Sequence, residues 1–135
     1  MKTVLVVEDD SSLARLAQLN LTAEGYDVIV CREGDGALAT LAKATPDLVL
    51  LDLNLPGRNG IEVLQLLKSE PRLRQIPVVL LSTSNLESDV KRALACGADS
   101  YLSKPGRFDV LQRQLQQLVT RLRTGDSELA DSAWA

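Results

Sequence analysis

The stretch "DLVLLDLNLPGRNG", residues 47–60, decides the fold: an almost unbroken apolar run carries an aspartate, Asp52, and then breaks into turn residues. Leu48, Val49, Leu50 and Leu51 precede Asp52 and Leu53 follows it, a run without alternation that predicts a strand buried on both faces. An aspartate at the end of such a strand needs pairing, hydrogen bonds or a cation, because a lone carboxylate is costly to bury.

Four other short runs flank this one: "TVLVV" (3–7), "DVIVC" (27–31), "PVVLLS" (77–82) and "SYLS" (100–103), each with the composition of a strand. Between and after them apolar residues recur at helical spacing: Leu13, Leu16, Ala17 and Leu21; Ala37, Leu38, Leu41 and Ala42; Ile61, Leu64 and Leu67; Leu86, Val90 and Leu94; Leu111, Leu115, Leu118 and Leu122. Strand then helix, five times over, predicts an α/β fold with a doubly wound parallel sheet covered on both faces. Gly25, Gly34, Gly97, the 56–60 turn, Pro46, Pro77 and Pro105 mark the boundaries.

The 135 residues, 45% hydrophobic, make one domain. It is expected to span residues 1–124, leaving 125–135 as a mildly acidic tail, either disordered or an arm whose Trp134 docks on a second subunit. A net charge of −3 offers nucleic acid and anionic lipid no attraction, so direct nucleic-acid binding is not expected. No apolar run approaches the roughly 18 residues of a membrane span, and the N-terminus turns acidic after seven residues. Cys31 and Cys96, far apart and each beside apolar residues, read as reduced core thiols of a cytoplasmic protein. The chain has no histidine, which excludes a histidine nucleophile, a histidine base and any His-ligated metal.

In open doubly wound sheets ligands bind beyond the carboxyl ends of the strands. Strand 1 delivers Glu8, Asp9 and Asp10 there, strand 3 delivers Asp52, strand 4 delivers Ser82, Thr83 and Ser84, and strand 5 delivers Lys104. If strands 1 and 3 are neighbours, Glu8, Asp9 and Asp52 converge and repel one another unless a cation or a proton intervenes. An all-oxygen set favours a hard ion such as Mg²⁺, bound through one or two carboxylates plus a phosphoryl oxygen. Each residue has a plainer reading as well: Glu8 and Asp9 as caps of the helix opening near Ser11, Ser82 and Thr83 as hydroxyls bonding to backbone, and Lys104 as a solvated lysine. "DLNLPG" begins like a calcium loop but fails at Pro56 and at Val63, where the bidentate glutamate belongs. The turn "EDDSS" is acidic where a nucleotide-binding loop needs glycines, so the site suits a phosphoryl group and not a nucleotide.

The motifs "VLVVEDD", "LVLLDLNLPGRNG", "PVVLLSTS" and "GADSYLSKP", in that order, resemble those of the receiver domain of two-component response regulators, the CheY-like family, over about residues 2–122. The resemblance implies a flavodoxin-like (βα)5 three-layer sandwich with strand order 2-1-3-4-5. It implies that Asp52 takes a phosphoryl group from a phosphohistidine on a sensor histidine kinase or phosphotransfer protein. Asp9, Asp52 and the backbone carbonyl of Asn54 would ligate Mg²⁺, Glu8 would act through a bound water, and Lys104 would pair with the phosphoryl oxygens. Ser82 would hydrogen-bond the phosphoryl group while Tyr101 swings from exposed to buried, biasing a face of helix 4, strand 5 and helix 5 toward a downstream protein target. Such a chain is no enzyme in the ordinary sense, since it catalyses only its own phosphorylation and dephosphorylation.

Some positions depart from the family pattern. The first acid is Glu8 where aspartate is also frequent; Thr83 stands where alanine or glycine is usual, crowding the path of a water toward the acyl phosphate; Gly106 replaces a frequent aromatic after "KP", with Phe108 two positions on. "LLSTSNLESDV" is similar to single-domain regulators associated with phytochrome kinases. Two other classes compete: a pseudo-receiver that never takes phosphate, opposed by Asp9, Asp52, Ser82 and Lys104, and a small aspartate-nucleophile phosphatase, whose second aspartate is Asn54 here. No output domain is expected after helix 5, so signalling would pass by protein contact or phosphorelay. Monomer and homodimer both stay open, with the Leu111, Leu115, Leu118 and Leu122 stripe read as core-facing.

Overall fold

Five strands, β1 (Thr3–Val7), β2 (Asp27–Cys31), β3 (Leu48–Asp52), β4 (Val78–Ser82) and β5 (Ser100–Ser103), form one parallel sheet in the order β2-β1-β3-β4-β5. The computed structural model describes residues 3–53, 55, 60–82, 87–98 and 100–103, together with Arg113, Gln117 and Thr120. Helices α1 (Ser11–Ala23), α2 (Gly34–Leu41), α3 (Gly60–Ser69) and α4 (Glu87–Ala95) connect successive strands, as parallel pairing requires. The chain runs outward from β1 to the edge strand β2 and then crosses back to β3, so the order reverses between β1 and β3. That switch point is where a doubly wound sheet opens a crevice.

Strand pleating divides the core into two layers. Leu5 and Val7 of β1 and Val49 and Leu51 of β3 face one side, with Ala37 and Leu41 of α2 and Val63, Leu64 and Leu67 of α3. Val4, Val6, Leu48 and Leu50 face the other, where Ala17 and Leu21 of α1 cover them. All five residues of β3 are buried, as its unalternating sequence predicts. Each wholly buried leucine, Leu50 and Leu64 among them, stabilises the fold by about 1.5–3 kcal/mol relative to exposure.

Long cationic side chains fasten the loops at the opposite end. Arg72 donates to the carbonyl of Leu41 and, at 2.7 Å, to Thr45 Oγ1, closing the end of α2. Lys68 Nζ reaches the carbonyls of Ile76 and Arg74 at 2.9 and 3.2 Å, bracing the approach to β4. Gly25 and Gly97, with φ of 93° and 107°, turn the chain out of α1 and α4 in the left-handed region that favours glycine.

Three sequence expectations need correction or placement. Among the described side chains of α4, Ala93 meets the core and is fully buried, while Leu94 is exposed, since one position along a helix rotates a side chain by about 100°. Cys31 and Cys96 are free thiols, half-buried and packed against the main core cluster at its margin: Cys31 lies on the edge strand with Sγ 3.4 Å from Thr40 Oγ1, and Cys96 follows α4. Leu86, the stripe Leu111, Leu115, Leu118 and Leu122, and the tail with Trp134 lie outside the described residues. Arg113, Gln117 and Thr120 are helical and exposed, spaced as residues of one outer helix face. Among the described residues no helix is long and apolar enough to cross a membrane.

Candidate functional site

Register builds the site. Val7 pairs with Leu51, so Glu8 and Asp9, which follow Val7, emerge beside Asp52, which follows Leu51. Glu8, Asp9 and Asp52 each present a carboxylate oxygen such that all three atoms lie within 4.8 Å of one another. Glu8 and Asp52 are buried, at 0% and 1% exposure, whereas Asp9 is exposed, giving the cluster a closed floor and one open side. The aspartate in the leucine run thus stands at the switch point with two acids for neighbours.

Local backbone chemistry assigns each acid a different task. Asp10 is the N-cap of α1, its Oδ1 accepting from the amides of Ser12 and Leu13 at 2.9 and 3.2 Å. The capping reading of Glu8 and Asp9 is therefore corrected: the residue one step later satisfies the helix, which releases those two for the cluster. Glu8 turns back on its own loop, Oε2 accepting from the Asp10 amide at 3.0 Å, while Oε1 is buried without a hydrogen-bond partner among the described residues. The edge strand holds this loop: the Cys31 carbonyl accepts from the Glu8 amide at 3.0 Å, and Arg32 Nη2 donates to the Asp9 carbonyl at 2.7 Å.

Asp52 is fixed from the other side. The Leu53 amide donates to the Leu81 carbonyl at 3.1 Å, extending the pairing of β3 with β4 past Asp52, and Leu53 and Leu55 bury their side chains on either side of residue 54. The Gly60 amide returns to the Leu53 carbonyl at 3.1 Å, and a Cβ on Gly60 would fall 2.3 Å from the Asp52 carbonyl oxygen and 2.7 Å from Leu53 Cα. Only glycine lets α3 start this close to the end of β3.

On β4, Asp52 pairs with Leu81, and the next residue, Ser82, pairs with Ser103 of β5. Tyr101 pairs with Leu80. Ser82 and Tyr101 thus have their main chains in the two strands bordering the site, and Lys104 is the residue after Ser103 in the chain. Asn54, Thr83 and Lys104 lie outside the described residues.

Three clustered carboxylates, two of them buried, repel one another by roughly 3–4 kcal/mol per pair at an effective dielectric near 20. A divalent cation removes that repulsion, and a donor set made only of carboxylate oxygens fits Mg²⁺ or Mn²⁺ better than a soft metal. Sequence reasoning missed Arg32 and the contact role of Gly60. Arg32 carried no signal, and Gly60 stood out only as one of several turn residues.

The model of the response regulator receiver domain matches residues 4–116. Among curated proteins, the phosphate regulon transcriptional regulatory protein PhoB of Rhizobium meliloti is 37% identical over 135 residues, covering 93% of this chain and 60% of the relative. The DNA-binding response regulator MtrA of Mycolicibacterium paratuberculosis is 40% identical over 128 residues, covering 95% of this chain and 54% of the relative. The chain thus spans little more than half the length of these relatives. Among solved structures, the Mn²⁺-bound form of response regulator Rcp1 superposes with a TM-score of 0.85 at 33% identity, covering 98% of this chain and 100% of that one. The phosphorylated cyanobacterial phytochrome response regulator RcpA gives a TM-score of 0.88 at 35% identity, covering 93% and 96%.

Proposed function

The chain belongs to the response regulator receiver domain family, and on that premise we propose that Asp52 is the nucleophile of a Mg²⁺-dependent phosphoryl switch. The observation that carries the reading is the convergence of Glu8, Asp9 and buried Asp52 at the switch point of the sheet. It is supported by the likeness to a Mn²⁺-bound regulator and to a phosphorylated one.

The donor is a phosphohistidine on a sensor histidine kinase or a phosphotransfer protein. A carboxylate oxygen of Asp52 attacks phosphorus; the new O–P bond forms as the N–P bond breaks, and the imidazole leaves with the bonding pair. An ionised carboxylate needs no general base, which suits a chain without histidine. Asp9, Asp52 and the Asn54 carbonyl would hold the metal, and Glu8 would act through a bound water. When bound, Mg²⁺ supplies charge neutralisation for the phosphoryl oxygens and lets an anion approach three acids. Lys104 pairs with the phosphoryl oxygens. Ser82 then hydrogen-bonds the acyl phosphate and Tyr101 turns inward, biasing the face formed by α4, β5 and the fifth helix. Dephosphorylation is the reverse balance with water as nucleophile, releasing inorganic phosphate and regenerating Asp52.

The segment works in the cytoplasm and signals by protein contact or phosphorelay. MtrA is a DNA-binding regulator, but a segment of net charge −3 has no electrostatic purchase on a phosphate backbone. The test is to incubate the chain with acetyl phosphate, with and without Mg²⁺, and weigh it intact beside an Asp52→Asn variant. An adduct of one phosphoryl group that requires both Mg²⁺ and Asp52 supports the reading; an adduct that persists in the variant, or none in Mg²⁺, defeats it.

A further inference from the structure

Two consecutive residues at the exit of β2 grip the two consecutive acids at the exit of β1. The Cys31 carbonyl takes the Glu8 amide at 3.0 Å, and Arg32 Nη2 donates to the Asp9 carbonyl at 2.7 Å. Glu8 Oε2 then takes the Asp10 amide at 3.0 Å, and Asp10 caps α1. The peptide group that follows Asp9 is therefore tied twice, its carbonyl to Arg32 and its amide to Glu8, while the amide of Glu8 is tied to the edge strand. Of these ties, only the one from Arg32 comes from a long, exposed side chain that substitution can remove without touching the sheet. Asp9 is also the exposed member of the cluster, the acid with least packing to hold it.

We infer that Arg32 is a positioning residue for the metal site: its guanidinium fixes the Asp9 carbonyl so that the Asp9 carboxylate stays presented toward Glu8 and Asp52 for a divalent cation. The inference rests on the proposed reading of the cluster as a Mg²⁺ site. Two effects of Arg32 oppose each other there. Its positive charge repels an incoming cation, so removing it by field alone tightens Mg²⁺ binding. Its hydrogen bond organises the loop, so removing it by geometry loosens Mg²⁺ binding. Because the guanidinium is exposed, solvent and salt screen its field, whereas the 2.7 Å hydrogen bond acts locally and is charge-assisted. The organising effect wins, and the sign of the change separates it from the field.

The experiment titrates Mg²⁺ into the unphosphorylated full chain by isothermal calorimetry, for wild type, Arg32→Ala and Arg32→Lys, with acetyl phosphate labelling alongside. Loss of one hydrogen bond predicts that Arg32→Ala binds Mg²⁺ about two- to tenfold more weakly. Arg32→Lys, which keeps a cationic donor for the same carbonyl, recovers most of that loss. At saturating Mg²⁺ all three take up the same amount of phosphoryl group. Amide exchange across residues 8–12 quickens in Arg32→Ala. Equal or tighter Mg²⁺ binding by Arg32→Ala overturns the inference, as does a lysine variant no better than alanine. A wild type that binds Mg²⁺ but takes no phosphoryl group defeats the proposed function alone, and the Mg²⁺ series still decides the role of Arg32. A wild type that binds no Mg²⁺ defeats both.

Discussion

Replacing Gly60 by alanine tests how the site is clamped. The new Cβ would sit 2.3 Å from the Asp52 carbonyl oxygen and 2.7 Å from Leu53 Cα, both main-chain atoms that cannot swing aside. Reaching ordinary contact requires the start of α3 to retreat from the end of β3 by about 1 Å. That retreat stretches the hydrogen bond from the Gly60 amide to the Leu53 carbonyl beyond its useful range, costing about 1 kcal/mol. It also drags Val63 and Leu64, both fully buried, out of their packing, an overpacking cost of about 1–3 kcal/mol. The sum, about 2–4 kcal/mol, lowers the thermal midpoint by roughly 8–16 °C and exceeds any gain from alanine's better helix propensity. Gly36→Ala is the control, because nothing lies closer than 3.9 Å to its added Cβ and it lies within α2; it should be neutral or gain up to about 1 kcal/mol. Urea denaturation of the two variants beside wild type measures both. A Gly60→Ala protein within about 0.5 kcal/mol of wild type would refute the reasoning that α3 starts in direct contact with the Asp52 backbone.

Other substitutions probe separate links. Asp52→Asn removes one charge from the carboxylate cluster, so in the absence of divalent cation it should stabilise the fold, read as a raised urea midpoint; an unchanged or lowered midpoint contradicts the repulsion. Adding Mg²⁺ should raise the midpoint of wild type more than that of this variant. Arg72→Ala loses the donors to Leu41 and Thr45 and should cost about 1–2 kcal/mol while leaving Mg²⁺ affinity and phosphoryl uptake at wild-type values. Thr83→Ala, by opening a path for water, should shorten the life of the acyl phosphate; a loss rate no faster than wild type would show that Thr83 does not shield it.

The sheet was legible because its strands are short, apolar and regularly interrupted. All five runs form strands, and the register that follows from them brings Glu8, Asp9 and Asp52 together. Strand β3 was the clearest, since an unalternating leucine run has no use on a half-exposed sheet. Helix faces were less legible where few turns define them. In α4 the run Leu86, Val90 and Leu94 satisfies a helical spacing, but small Ala93 takes a core position and Leu94 faces out. Hydrophobicity ranks leucine above alanine, whereas the space between α4 and the sheet ranks them the other way. The choice of cap was equally hidden, because Glu8, Asp9 and Asp10 are chemically alike and only the direction of the chain leaving β1 gives the cap to Asp10. Arg32 and Gly60 act through backbone atoms of residues far from them in sequence, a relation that local pattern does not encode.

The central claim is that Asp52 itself carries the phosphoryl group, and it has a direct chemical readout. An acyl phosphate, unlike a free carboxylate or a phosphate ester on serine or threonine, is reduced by borohydride, which converts the modified aspartate to homoserine. The chain would be phosphorylated with acetyl phosphate in Mg²⁺, reduced, digested with trypsin and the peptide spanning residues 44–58 sequenced by mass spectrometry. That peptide contains Asp47 and Asp52; Asp47 lies at the opposite end of β3, where its Oδ2 accepts from the Thr3 amide at 2.8 Å. Homoserine at position 52 alone is the predicted result. Homoserine at position 47, or a stable adduct with no reduced residue, would contradict it.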